Sequence, residues 1–147
     1  EIGSGFLSAY DLALEAMRRA LHAGVRVGVR LDPVVPHYAG SERYDELIGE
    51  ISCAAKGHRI DRFEIGLLRF PSGLMERVRR HAPRSALLQG EYLKDSEGKM
   101  RLYRPRRVDI YREIARLLGR NFPGVPVELS MESKDVWEDA GVELPAR

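Results

Sequence analysis

The chain has 147 residues, 44% of them hydrophobic and 31% charged, enough apolar material for one buried core and too much for a disordered or collagen-like polypeptide. With 24 Lys+Arg against 22 Asp+Glu the formal charge is only +2, so no global field dictates an acidic partner and any affinity for nucleic acid has to come from a local patch. Cys53 is the single cysteine, which excludes an internal disulfide, a Cys-only zinc site and an iron–sulfur cluster held by this chain.

A reducing, cytoplasmic setting is therefore expected. No run approaches the roughly 20 apolar residues needed to cross a bilayer, so no membrane role is expected. The opening Glu1-Ile2-Gly3-Ser4-Gly5-Phe6-Leu7 has neither the basic start nor the long apolar stretch of a secretory signal. It does not begin with Met, and a longer protein around this stretch is expected. Gly3-x-Gly5 has no strand before it, so a dinucleotide fingerprint is not supported.

Ser8 with Asp11 three residues on predicts a capped helix, along which Ala9, Leu12, Ala13, Ala16, Met17, Ala20 and Leu21 recur at helical spacing until Gly24. Val25 to Leu31 predicts a strand with Val25, Val27, Val29 and Leu31 on one face, closed by the loop that starts at Asp32-Pro33. Ser41 opens a second helix through Tyr44, Leu47, Ile48 and Ile51, and the run from Phe63 to Phe70 predicts a second strand. A third helix from Pro71-Ser72 carries Leu74, Met75 and Val78 towards Pro83, after which Ala86 to Leu93 predicts another strand. Lys94 to Gly98 is a polar turn leading into Lys99–Tyr103, a hairpin. A fourth helix buries Ile110, Tyr111, Ile114, Ala115, Leu117 and Leu118; Val125–Ser130 supplies the last strand, and Ser133 caps a short helix with Val136 and Trp137.

This alternation predicts an α/β fold with a largely parallel sheet, either doubly wound or a fragment of a barrel, whose site lies at the carboxyl ends of the strands. Asp32, Arg69, Glu91 and Ser130 to Glu132 fall there. Asp32 either stands at the mouth of the sheet as a binding group or fixes the turn through its own backbone. His37 and Tyr38 lie in a long loop of the kind that carries binding residues, whereas His22, His58 and His81 have no partner at metal-ligand spacing. Glu64, Glu91, Glu128 and Glu132 read either as acids for hydrolytic chemistry, which needs two of them converging, or as partners of the many arginines. Residues 99–107 hold five basic residues and no acid, with Tyr103 among them. Alternation puts Lys99, Arg101 and Tyr103 on one face, suited to stacking and phosphate contact with nucleic acid or else a solvated edge that discourages aggregation. Cys53 has no activating neighbour and is expected to be buried.

Four stretches together resemble the C-terminal half of radical S-adenosylmethionine proteins of the spore photoproduct lyase family. They are Ala23-Gly-Val-Arg-Val-Gly-Val-Arg-Leu-Asp-Pro-Val34, Ile65-Gly-Leu-Leu-Arg-Phe-Pro71, Gly90-Glu-Tyr92 with Gly98-Lys-Met-Arg-Leu-Tyr103, and Leu129-Ser-Met-Glu-Ser-Lys-Asp-Val-Trp137. The resemblance implies that residues 1–85 are the last part of a six-stranded partial barrel and residues 86–147 a post-barrel extension. It implies that Asp32 lies where such enzymes contact the S-adenosylmethionine nucleoside, and that Lys99, Arg101 and Tyr103 lie on a hairpin that meets a DNA lesion. The Cys-x3-Cys-x2-Cys signature for the 4Fe–4S cluster is absent and Ser130 stands where a Cys is expected, so the implied cluster, S-adenosylmethionine cleavage and lyase activity belong to an intact protein with the missing N-terminal half of the barrel. A stand-alone nucleic-acid or partner-binding module using residues 99–107 is the alternative. A barrel fragment is further expected to leave an open sheet with an exposed apolar face, or to self-associate.

Overall fold

The computed structural model describes residues 8–40 and 42–144. Helix α1 (Ala9–His22) starts where the sequence places it, and its capping box is complete: the Asp11 N–H donates to Ser8 Oγ at 3.1 Å, and the Ser8 N–H to Asp11 Oδ2 at 3.0 Å. Strand β1 (Gly28–Val34) begins later than expected and runs on through Asp32-Pro33. Asp32 is thus a strand residue, not the first of a loop. Val25 is held back by the preceding helix, its N–H donating to the Ala20 carbonyl at 3.0 Å.

Helix α2 (Glu42–Ala54) leads to strand β2 (Arg62–Leu67); Ser41, expected to open α2, lies outside the described residues. The run expected as one strand to Phe70 breaks at Leu68, whose N–H donates to the Val34 carbonyl at 3.0 Å, and Arg69–Phe70 forms a separate strand β3. Helix α3 (Leu74–His81) follows.

The strand expected from Ala86 to Leu93 is not formed. Ala86–Leu88 is a single 3₁₀ turn capped by Ser85, whose Oγ accepts from the Leu87 N–H, and only Tyr92–Lys94 is extended, as β4. Gly90 between them has φ +134°, and a Cβ there would meet Leu102 Cδ1 at 2.8 Å, so a glycine is required where chain direction changes. Strand β5 (Met100–Leu102) closes the hairpin, and Asp95 Oδ1 accepts from the Glu97 and Lys99 N–H groups, both at 2.9 Å, to shape its turn. Helix α4 (Arg104–Asn121) starts earlier than its apolar stripe suggested, so residues 99–107 divide between a strand and a helical first turn. Strand β6 (Val127–Leu129) and helix α5 (Lys134–Ala140) complete the chain.

The result is a mixed α/β fold with two three-stranded sheets. The first is parallel, ordered β1-β2-β6, with Arg30 opposite Glu64 and Glu64 opposite Glu128. The second is antiparallel, ordered β3-β5-β4; Phe70 and Tyr92 hold it together edge to face with ring centroids 5.1 Å apart. No closed barrel is formed among the described residues. Strand β6, beyond residue 86, completes the sheet begun by β1 and β2, and one cluster of buried residues spans both stretches of the chain.

Alternation sorts the parallel sheet into two chemistries. Val29, Leu31, Phe63, Ile65, Val127 and Leu129 join Ile48 and Ile51 of α2, Ile114 and Leu118 of α4 and Val136 of α5 in the core. Arg30, Asp32, Glu64, Glu128 and Ser130 have the opposite parity. The exposed face expected to be apolar is therefore charged. Beside the free edge of β1, partly buried apolar residues line a groove of about 370 Å³, with Leu14 and Met17 of α1 facing Val27, Val29 and Leu47.

Phe63 is wholly buried at the centre of this core. Phe63→Ala should lower the unfolding free energy by about 3–5 kcal/mol, whereas Leu12→Ala, at an exposed position of α1, should change it by less than about 0.5 kcal/mol. Urea denaturation of the two variants checks this.

Candidate functional site at the strand ends

Two adjoining clusters occupy the carboxyl ends of β1, β2 and β6. The first lies on the charged face of the parallel sheet. Arg30 reaches across all three strands: one guanidinium nitrogen lies 3.1 Å from Asp32 Oδ2, 3.1 Å from Glu64 Oε1 and 3.1 Å from Ser130 Oγ. The two carboxylates converge as a hydrolytic pair would, but on a shared arginine, which makes them an ion-pair network. Asp32 lies directly over the neighbouring strand, since a Cβ on Gly66 would meet its Cγ at 2.5 Å. Only a glycine leaves room for that carboxylate.

The second cluster surrounds Glu132, whose side chain is 1% exposed. Its Oε1 lies 2.9 Å from Arg101 Nη2 and accepts from the Tyr111 hydroxyl at 2.9 Å; its Oε2 accepts from Arg107 Nη2 at 3.4 Å. Arg107 Nε, 3.2 Å from Oε1, is buried at an angle that makes no hydrogen bond. The Tyr111 oxygen also accepts the Leu67 N–H at 3.3 Å, which connects Glu132 to β2. Arg101 donates to the Met131 carbonyl at 2.9 Å, and Met131 itself is held at φ +54°, a left-handed conformation uncommon outside glycine. The β6–α5 turn is thus held by the hairpin on one side and α4 on the other. Burial pushes the Tyr111 phenol well above the ordinary tyrosine range, and the adjacent Glu132 carboxylate pushes it the same way.

Of the residues singled out at strand ends, Asp32, Arg69, Ser130 and Glu132 come together, with Arg69 4.0 Å from Asp32. Glu91 does not join them: its carbonyl accepts the Tyr103 N–H at 2.7 Å, and its side chain borders a separate cleft of about 480 Å³ with His37, Gln89 and Arg106. Lys99 pairs with Glu97 at 2.5 Å, and Tyr103, flanking β5, precedes α4 with its ring exposed. His37 and Tyr38 stack edge to face at 4.9 Å. Cys53 is exposed, contrary to expectation, because α2 turns that position outward. No group of His, Cys, Asp and Glu among the described residues is arranged to hold a metal ion, and no helix among them is long and apolar enough to cross a membrane. Sequence reasoning missed Arg30 and Gly66, and read Arg107 as one of the basic residues of 99–107 and not as a partner of Glu132. Only Gly66 carried a signal, as an isolated glycine inside a strand pattern.

The parallel sheet is thus backed by helices on one face and charged on the other, with its polar side chains gathered at the carboxyl ends of the strands, where open α/β sheets in general bind ligands. No family model matches the chain, and no curated protein matches it. Among solved structures it is similar to a cysteine-to-serine mutant of spore photoproduct lyase, with a TM-score of 0.68 and 21% identity, covering 84% of this chain and 39% of that one. The chain thus spans about two fifths of that protein's length, and the likeness, at the level of fold, agrees with the resemblance read from the four sequence stretches.

Three measurements bear on the site. Glu132→Ala leaves two arginines without their carboxylate and should cost about 3–5 kcal/mol of stability, while Arg30→Ala, at a side chain 57% exposed, should cost no more than about 1 kcal/mol. Gly66→Ala should displace Asp32, and in a double-mutant cycle Asp32→Ala should recover about 0.5–3 kcal/mol of that loss; strictly additive effects would contradict the contact. Because the folded state holds the Tyr111 proton more tightly than the unfolded chain does, its contribution is complete below pH about 10 and declines above it. Urea midpoints should accordingly fall as the pH rises above about 10, and less so in Tyr111→Phe.

Proposed function

We propose that this chain is the C-terminal portion of a radical S-adenosylmethionine protein resembling spore photoproduct lyase, with β1 and β2 as the last strands of a partial barrel. Residues 1–85 belong to that barrel, and residues 86–147 form an extension that lends it β6 and presents the hairpin. The observation that carries this reading is the fold-level match to spore photoproduct lyase, joined by a sheet whose helix-free face is lined with charged strand-end groups.

The two implied cofactors fare differently against the residues present. A 4Fe–4S cluster does not fit: the only cysteine is exposed on α2, and no metal-holding group exists among the described residues. No step through a cluster is assigned to this chain, and it is not expected to act alone. An adenosyl ligand does fit the donor set, because Asp32 and Glu64 offer carboxylate acceptors on one face of the sheet, beside the buried Ser130 hydroxyl to which Arg30 donates. In an intact enzyme S-adenosylmethionine supplies the adenosyl group from which a radical is made; the part played here is Asp32 accepting from that ligand while Arg30 and Gly66 fix its position.

Lys99, Arg101 and Tyr103 are proposed as the nucleic-acid contact, in divided roles. Tyr103 offers an exposed ring for stacking and Lys99 a charge near the turn, whereas Arg101 sets the hairpin against Glu132. The stand-alone module has less support, because Arg101, Arg104 and Arg107 are paired with Glu132, Asp139 and Glu132.

Backbone NMR of the chain during titration with S-adenosylmethionine, and separately with a short DNA oligonucleotide, tests this. Saturable shifts at Asp32, Gly66 and Ser130 with the first ligand, removed by Asp32→Ala, and salt-dependent shifts at Lys99 and Tyr103 with the second are expected. No response of the strand ends to the adenosyl ligand would overturn the reading, and an oligonucleotide response alone would favour the stand-alone module.

A further inference from the structure

Arg69 and Arg101 are direct partners across the antiparallel pair of β3 and β5, so both side chains leave the same face, close together. Like charges set opposite each other in a ladder repel, and here both are largely removed from water, at 22% and 21% side-chain exposure. Each leans towards a different carboxylate. Arg101 is engaged through Nη2, by Glu132 at 2.9 Å and the Met131 carbonyl at 2.9 Å. Arg69 is not: its nearest anion is Asp32 Oδ2 at 4.0 Å, and that same oxygen is already held by Arg30 at 3.1 Å.

A guanidinium carries five N–H donors, and the Arg69 side chain makes no hydrogen bond with the described residues. Its nitrogens are not buried, so those donors remain open to a ligand from solution. Across the two clusters Arg30, Arg69, Arg101 and Arg107 face Asp32, Glu64, Glu128 and Glu132, so formal charge is balanced there and what distinguishes Arg69 is its unengaged guanidinium.

The geometry points to an oxyanion site at Arg69, beside Arg101 at the junction of the two sheets, that takes a phosphate-type ligand. A guanidinium meets two oxygens of such a group in parallel, which no water molecule does. Resting on the reading above, the natural occupant is a backbone phosphodiester of the nucleic acid that the hairpin approaches, bound between Tyr103 and the strand ends. A carboxylate, such as that of the adenosyl ligand, has related chemistry and is separated from it by the test.

The test follows the Arg69 side-chain Nε–H resonance of the full chain by NMR during titration with inorganic phosphate, then with a short DNA oligonucleotide and with S-adenosylmethionine. A saturable phosphate shift at Arg69, weakened at least about tenfold by Arg69→Gln and retained in part by Arg69→Lys, is expected. Phosphate at Arg69 that the oligonucleotide displaces and S-adenosylmethionine does not supports the phosphodiester; displacement by S-adenosylmethionine alone overturns that assignment. A site that binds phosphate and ignores both larger ligands leaves the oxyanion site standing and removes the nucleic-acid reading. A linear, unsaturated shift in the unsubstituted protein overturns the oxyanion site itself, and that measurement does not depend on whether any variant folds.

Discussion

A carboxylate taken out of water has to be met by donors, and Glu132 is met by two elements remote from it in sequence and tied through Tyr111 to a third. Arg101 comes from the hairpin, Arg107 and Tyr111 from α4, and the Tyr111 oxygen passes the connection on to the Leu67 N–H of β2. Without those partners the desolvation of the charge would work against the fold. With them, the turn after β6, the antiparallel sheet and the end of β2 are held in one arrangement. The place where the two sheets meet is therefore set by an electrostatic contact, while the position of each sheet against the helices is set by apolar packing.

That division explains why the strand ends are polar without being loose. On the core side of the parallel sheet, Phe63, Ile65 and Leu129 are buried among the helices. On the other side Arg30 serves β1, β2 and β6 at once, and Asp32 rests where Gly66 has no side chain. Neither feature is needed to hold the core together. Both keep charged groups fixed on a surface that a bare stretch of strand would leave to water, which is what a preformed ligand site requires.

Much of the fold was legible because local rules dominate locally. Ser8 and Asp11 announce α1 through a contact three residues long, and the polar turn at Asp95 announces the hairpin for the same reason. The failures occur where a distant contact decides. Ala86 to Leu93 has strand-like composition, yet the Ser85 cap and the Gly90–Leu102 approach turn it into a 3₁₀ turn followed by a bend. Asp32-Pro33 is written like a loop, but the strand continues past this irregularity because pairing with β2 resumes at Val34, opposite Leu67. Burial of Cys53 followed from its residue type, and α2 turns that position to solvent instead. The strand-end location of the candidate site was readable from the order of elements. The pairing of Glu132 with Arg101 and Arg107 was not, since 25 to 31 positions separate partners that only the completed fold brings together.

The central claim is that Glu132 couples the hairpin to the parallel sheet. Native-state amide hydrogen exchange in the unsubstituted chain and in Glu132→Gln tests it most directly. Protection at Arg101, Leu102 and Leu67 should fall together in the variant, while Phe63 and Ile65, held by the apolar core, keep theirs. Unchanged protection at the hairpin, or a uniform loss across every strand, would contradict it.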